Sequence, residues 1–382
     1  MLQRMLNEAG AEWTWLRSGR EIFTAMLAAI GAAQHSVCLE TYMFASGQPG
    51  ESFRDALVRA RQRGVQVRVL VDAFGSMGLA AAFWKPLRAA GAEVRHFNPL
   101  FLNRLGIRNH RKLLVCDGQV ALIGGFNISP EYDGDGVTRG WCDLGLMVGG
   151  PLPGRLAETF GQMFERADFQ HKRFMRLRKS VARRLLPTPN ELLLLSGPGR
   201  GRNPLTRALR TDLRQASSVQ IMVAYFLPTW RIRRELTRIA RAGGNVQLML
   251  PGKSDVLISQ LAGQSLYRRL LRAGVKIYEY QPQVLHAKLM IVDDFVYAGS
   301  ANLDPRSLNI NYELMVRFNQ PKMAEEARRI FTDRLEHCRQ IRLDEWRKGR
   351  TIWRRLRQRW AYWLLVRIDP YVARRQWRAL PD

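Results

Sequence analysis

Residues 285–313 read LHAKLMIVDDFVYAGSANLDPRSLNINYE, and residues 109–129 read NHRKLLVCDGQVALIGGFNIS. Each stretch holds a His, a Lys two places on, an Asp five further, and then Gly-(Gly/Ser)-x-Asn. In an extended chain residues i and i+2 share a face. His110 and Lys112 therefore point the same way, as do His286 and Lys288. Asn127 and Asn302 follow across a hairpin and return to that face. Each set then offers an imidazole, a fixed cation and an amide donor. That combination suits a phosphodiester: Lys and Asn hold the oxygens, and His does covalent or proton chemistry.

Other polar residues take supporting places. Asp117 and Asp293 complete the two signature sets at the hairpin turns, where they are read as structural, fixing turn backbone by side-chain hydrogen bonds rather than carrying protons. Asp143 and Glu313 open the closing strands, where a carboxylate can orient an imidazole and stabilise its charged form. Ser129, Ser300 and Ser307 offer hydroxyl donors to a phosphoryl group. His35, His96, His171 and His337 have no matching context and are read as structural or exposed.

The elements that position these residues occur twice. SVCLETYMF from Ser36 pairs with SVQIMVAYF from Ser218, and ALVRARQRGVQVRVLV from Ala56 pairs with ELTRIARAGGNVQLML from Glu235. The segment order is kept, which is a duplication of one large unit rather than a short-period solenoid. Within the first copy, Ile22, Met26, Leu27 and Ile30 predict a helix over 20–34, strands follow at 36–44 and 65–71, and a helix over 51–63 ends at Gly64. KLLVCDGQVALIG places Asp-Gly between two β-rich runs, a hairpin signal, and KLMIVDDFVYAG repeats it. Closing strands are expected at 142–148 and 312–318. Alternating strands and helices imply an α/β fold, with helices on both faces of each mixed sheet.

Charge bounds the partner. Sixty Lys and Arg against 33 Asp and Glu give a net charge of +27, which implies nucleic acid or an acidic membrane surface. The four cysteines form no Cys-x-x-Cys pair and no zinc spacing with His, so they read as small reduced core residues of a protein at a cytosolic face. The first residues, MLQRMLNEAGAEW, lack a long apolar stretch, and no window approaches a membrane span. No metal site and no cofactor are expected.

HRKLLVCD with GGFN, and HAKLMIVD with GSAN, resemble the signature of the phospholipase D superfamily, over roughly residues 20–340. Within it, YRRLLRAGVKIYEY, LHAKLMIVDD and GSANLDPRSLNINYE are similar to bacterial cardiolipin synthases, in particular the shorter B type. The resemblance implies two phospholipase D-like domains, 1–170 and 190–340, in a pseudo-twofold arrangement that shares one active site. A basic linker, 171–189, and a basic amphipathic tail, 341–382, would complete the chain. The resemblance also implies that His110 attacks phosphorus and becomes phosphohistidine, while His286 is the acid and base. Lys112 and Lys288 would supply the positive charge that a metal provides elsewhere, and Asn127 and Asn302 would bind phosphoryl oxygens.

The same superfamily includes nucleases, so lipid and nucleic acid must be separated by other features. NPLFLNRLGI, residues 98–107, sets Leu100, Phe101, Leu102, Leu105 and Ile107 just before the first site histidine, as an apolar loop suited to acyl chains. TIWRRLRQRWAYWLLVRI, residues 351–368, predicts a basic helix with Trp353, Leu356, Trp360, Trp363 and Leu364 on one stripe. Nucleic-acid binders interleave aromatics within a basic groove, and that pattern is absent here. The expectation is a phosphatidyltransferase on the cytoplasmic face of a bacterial membrane, peripheral or monotopic. It would use phosphatidylglycerol as donor and acceptor, release glycerol, and have no nucleic-acid partner. The alternatives are a phosphodiesterase or nuclease of the same superfamily and a catalytically silent basic scaffold.

Overall fold

Strands covered on both faces run apolar without alternation, and the central strands of this protein do so. The computed structural model describes residues 12–99, 106–167, 190–198, 203–348 and 351–371. Residues up to 167 form one unit and residues from 190 a second. The first unit carries β1 (Trp13–Leu16), β2 (Ser36–Thr41), β3 (Gln66–Asp72), β4 (Glu93–Phe97), β5 (Leu113–Cys116), β6 (Val120–Gly124) and β7 (Gly145–Val148). Their order in the sheet is β1-β7-β6-β5-β2-β3-β4. Strands β2, β3 and β4 are parallel, and β5 turns the sheet antiparallel on the other side of β2.

The second unit carries β8 (Glu191–Ser196), β9 (Ser218–Met222), β10 (Asn245–Pro251), β11 (Lys276–Tyr280), β12 (Leu289–Val292), β13 (Phe295–Gly299), β14 (Glu313–Asn319) and β15 (Cys338–Ile341). Read from β8, its sheet order repeats the first, with β15 added antiparallel beyond β11. The duplication seen in the sequence is therefore a duplication of topology. The fold class is as expected: two mixed sheets, each flanked by helices. Three edge strands, β1, β8 and β15, have no counterpart in the periodicity reading. Each is only four to six residues long, and pairing at a sheet edge makes such a short run a strand. The first closing strand is shorter than expected, starting at Gly145, so Asp143 lies before it.

Each unit packs its own core. In the first, the helix Gly19–Ala32 is capped by Ser18, whose Oγ accepts from the Glu21 N–H at 3.2 Å. Its stripe of Ile22, Met26 and Ile30 is buried against β2, β3 and β5, with Leu27 half-buried at the edge. Each such side chain contributes about 1.5–3 kcal/mol of burial. Parallel strands need a helical crossover, supplied by Gly50–Gln62 between β2 and β3 and by Trp230–Arg241 between β9 and β10.

The second unit continues through β15 and the buried Trp346 to a helix at Ile352–Trp363, capped by Thr351. One face packs inward: Ala361 joins the core, and the buried Gln358 donates from Nε2 to Oε1 of Gln264 at 3.2 Å. The other face leaves Trp353, Leu356, Trp360 and Trp363 between 49% and 76% exposed. Leu364 lies past the helix end and is half-buried. The expected basic linker lies outside the described residues. So do Leu100, Phe101, Leu102 and Leu105 of the apolar loop; Ile107, at its base, is buried, and its carbonyl accepts from Asn98 Nδ2 at 2.9 Å. Three cysteines are buried and Cys338 is partly so.

Candidate active site

Both His-x-Lys pairs sit on the extended residues just before the central strands β5 and β12, one step outside the ladders. In each pair the lysine folds back so that its Nζ donates to the carbonyl of its own histidine, at 2.8 Å from Lys112 to His110 and likewise from Lys288 to His286. The Nζ of Lys288 also lies 2.7 Å from Nδ1 of His286. Lys112, 1% exposed, lies 5.3 Å above the ring of Tyr42, and that ring packs on His110 with centroids 5.1 Å apart. A buried ammonium needs such company to remain charged. His286 and Lys288 are buried as well.

The two asparagines are anchored alike. Oδ1 of Asn127 accepts from the backbone N–H of Met43 at 3.2 Å, and Oδ1 of Asn302 from that of Tyr225 at 3.4 Å. Met43 and Tyr225 hold equivalent places beyond β2 and β9. Spending the carbonyl oxygen in this way fixes the amide so that its Nδ2 faces elsewhere. On Asn127 that nitrogen donates to the Tyr132 hydroxyl at 2.8 Å. On Asn302 it has no partner among the described residues.

Asp117 and Asp293 fix backbone as expected, but not that of their own turns. The Asp117 carboxylate accepts from the N–H groups of Gln34, His35 and Ser36 at 2.8–2.9 Å, on the segment that enters β2. Asp293 does the same for Ser217 and Ser218 ahead of β9. Both have positive φ, 55° and 47°, a conformation that Asp tolerates better than bulkier residues. Burial pushes the Asp117 carboxyl up, but the three N–H donors outweigh it and hold it below the usual carboxylate range. A depressed pKa gives stability that is present above the unfolded value, about pH 4, and is lost as pH falls through the folded one. Asp117→Asn is therefore expected to cost roughly 1 kcal/mol at pH 7, and urea midpoints should show the gap closing below about pH 4. A gap that stays constant down to pH 3 would contradict this role.

Glu313 heads β14 and is fully buried. Its carboxylate accepts from Ser300 Oγ at 2.5 Å and from Ser307 Oγ at 2.9 Å. The two serines, expected to offer their protons to a phosphoryl group, give them to Glu313 instead. Asp143, its counterpart ahead of β7, is buried and accepts from the Leu144 N–H at 2.7 Å. Ser129 is buried at the start of the turn Pro130–Tyr132, and its Oγ has no partner among the described residues. Its counterpart in the second unit is Asp304, which caps the helix Pro305–Asn309. Burial raises the Asp304 pKa to about 6. Among the described residues no three His, Cys, Asp or Glu side chains converge as metal ligands.

A buried network behind the first pair was not read from the sequence. Arg111 leaves the strand opposite His110 and Lys112 and ion-pairs with Glu40 at 3.0 Å, both almost fully buried. Glu40 also accepts from Asn109 Nδ2 at 2.7 Å, and Asp72 accepts from the Asn109 N–H at 2.7 Å. Arg111 donates to Thr159 Oγ1 at 2.8 Å. Burial pushes Glu40 up and Arg111 down, and each charge counters that effect on the other. Asp72 is pushed up to about 6 by burial, against the N–H groups of Asn109, Gly75 and Phe74. The signal was present: Glu40 and Asp72 are the only acidic residues of their strands, SVCLET and QVRVLVD, and each follows an apolar run. In the second unit the places of Asn109, Arg111 and Glu40 are held by Leu285, Ala287 and Met222, all fully buried and apolar. The two half-sites thus have the same front and different backs.

Two His/Lys/Asn sets on equivalent strands of a repeated fold agree with the comparisons. A family model described as "Cardiolipin synthase, PLD-like domain" matches residues 26–133 and 209–335. The chain belongs to that family. As a cardiolipin synthase-type, phospholipase D-like protein it is an enzyme that transfers substituted phosphate groups. It is 31% identical to cardiolipin synthase 1 of Bacillus cereus over 346 residues, covering 87% of this chain and 68% of that one. It is 32% identical to cardiolipin synthase B of Escherichia coli K12 over 317 residues, covering 80% of this chain and 77% of that one. In fold it resembles the crystal structure of a phosphatidylserine synthase of Haemophilus influenzae, with a TM-score of 0.73 at 16% identity, covering 95% of each chain.

Proposed function

We propose that the protein is a membrane-associated phosphatidyltransferase that makes cardiolipin from two molecules of phosphatidylglycerol. The observation that carries this reading is the matched pair of His-x-Lys sets, each with a buried lysine and an asparagine anchored to backbone in the same way, in a chain whose curated relatives are cardiolipin synthases. In the proposed reaction an imidazole nitrogen of His110 attacks the donor phosphorus. The bond from phosphorus to the glycerol oxygen breaks, and His286 gives its proton to that leaving oxygen. The acceptor's hydroxyl then attacks phosphorus, His286 takes its proton, and the phosphorus–nitrogen bond breaks. This scheme requires the two histidines to serve one phosphorus. Lys112, Lys288, Asn127 and Asn302 bind the phosphoryl oxygens and stabilise the charge that develops there. Asp143 and Glu313 orient the imidazoles, and Ser300 and Ser307 steady Glu313. Dividing one displacement into two steps through a covalent intermediate accounts for two copies of the set.

Association with an anionic membrane from one side accompanies this reading. No helix among the described residues is long and apolar enough to cross a membrane, and the tryptophans of Ile352–Trp363 face outward. Interfacial tryptophans and basic residues suit a headgroup layer.

Purified protein incubated with phosphatidylglycerol vesicles is expected to yield cardiolipin and glycerol in equal amounts by mass spectrometry, and to leave plasmid DNA intact. Cleaved DNA with untouched lipid would replace this reading with the nuclease alternative.

A further inference from the structure

A second cationic feature lies away from the His/Lys sets and shares no residue with them. The helices Tyr267–Arg272, Leu343–Lys348 and Ile352–Trp363 enclose a cleft of about 550 Å³, lined by Arg268, Asp344, Trp346, Arg347, Lys348 and Arg355. Four cations face one carboxylate. Some arginines of this unit pair with carboxylates, as Arg306 does with Asp369 at 2.5 Å and Arg339 with Glu279 at 3.3 Å. None of the four cleft cations has such a partner among the described residues. The Arg268 guanidinium is pulled below its usual pKa, first by Arg272, then by desolvation, and by Arg347 and Arg355. The fold therefore gathers like charges in a concave place and leaves them unneutralised. A multiply charged anion with several acceptor oxygens would neutralise them, and guanidinium groups suit a phosphate in particular.

The surroundings indicate which phosphate. Trp346 forms a firm wall: it is buried, its ring packs at a tilt against Tyr267 with centroids 4.8 Å apart, and Arg354 lies 5.4 Å over it. On the helix that supplies Arg355, Ile352, Trp353 and Leu356 stand 72%, 76% and 49% exposed. An anion pocket whose Arg355 stands on a helix with protruding apolar side chains fits a phosphate that arrives with acyl chains attached, seated at the boundary between headgroups and hydrocarbon.

We propose that this cleft is a second phosphate-binding site, distinct from the His/Lys sets, that takes the headgroup phosphate of an anionic phospholipid and holds the second unit on the lipid surface. The site deepens the lipid reading above and rests on it for the source of the phosphate.

The test uses the full chain and three proteins: the parent, the cleft variant Arg268→Gln/Arg347→Gln/Arg355→Gln, and a charge-matched variant Arg20→Gln/Arg207→Gln/Arg241→Gln on exposed arginines elsewhere. Co-sedimentation with phosphatidylglycerol vesicles, at fixed salt and against phosphatidylcholine controls, reads affinity. The cleft variant is expected to bind phosphatidylglycerol vesicles at least about tenfold more weakly than the parent, and the charge-matched variant within about twofold of it. Equal losses in both variants would overturn the proposal, since the attraction would then belong to the overall net charge. If inorganic phosphate stabilises the parent but not the cleft variant, while vesicle binding is the same for both, the lipid source is overturned. Turnover of a short-chain phosphatidylglycerol dissolved as monomers is measured in parallel and is expected to be unchanged in the cleft variant. Absent turnover in every protein, with the vesicle difference intact, would count against the proposed reaction and leave this site standing.

Discussion

His110→Ala is expected to lower phosphatidyl transfer by roughly 10⁴- to 10⁶-fold, because it removes the group that bonds to phosphorus. His286→Ala is expected to cost about 10²- to 10⁴-fold, the usual range for a lost proton carrier. The two variants should also differ in kind. A donor whose leaving group needs no proton, such as a p-nitrophenyl ester, is expected to restore the first step in His286→Ala and not in His110→Ala. The restored variant should then accumulate phosphatidyl-enzyme, since nothing remains to take the acceptor's proton. Mass spectrometry of its peptides would place the adduct on His110. An adduct on His286 in the converse experiment would exchange the two roles, and full activity in both variants would return the protein to the silent-scaffold alternative. Unchanged melting temperatures would confine each loss to chemistry. His110 is only half-buried; His286 is buried against Lys288, so its variant is the one in which folding needs that control.

The largest stability effect is expected at Arg111. Arg111→Met leaves the Glu40 carboxylate buried without its ion pair, and such a loss costs about 3–5 kcal/mol. The double variant Glu40→Gln/Arg111→Met removes both charges and is expected to recover a large part of that cost, because the shapes are roughly kept and no charge is stranded. Urea unfolding midpoints at constant slope would measure both. The network also reaches the candidate site. Asn109 is held by Glu40 and Asp72, and it directly precedes His110. Lys112 is among the charges that favour ionised Glu40. A single variant as stable as the parent would mean that Glu40 is already uncharged in the folded protein. In the second half-site the places of Asn109, Arg111 and Glu40 are held by Leu285, Ala287 and Met222, which offer no charge to strand. The two halves of the duplication should therefore respond to mutation unequally even though their fronts match.

The contiguous features were legible in the sequence. The duplication, the hairpins and the shared face of His and Lys follow from local periodicity and from residues within a few places of each other, and the architecture reproduces them. The apolar stripe of Gly19–Ala32 was legible for the same reason. What could not be read were partnerships across the chain. The Asp117 carboxylate sits at its predicted turn, but its partners lie 81–83 residues earlier, and only the pairing of β5 beside β2 brings them together. Glu40 and Asn109 are 69 residues apart, and Asp72 and Asn109 are 37 apart. A lone Glu in an apolar strand says that something must compensate its charge, and sheet order decides what does. Ser300 and Ser307 were found as polar residues near the site, but the recipient of their protons, Glu313, was decided by how β14 returns beside β13.

The sequence by itself determined a doubled α/β chain with two His-x-Lys sets and a stripe of tryptophans along one helix, because those are properties of spacing along one strand or one helix. The tertiary structure alone decided which buried charges are matched, which serines serve a carboxylate, and where unmatched arginines gather, because charge compensation depends on distances between segments that are remote along the chain.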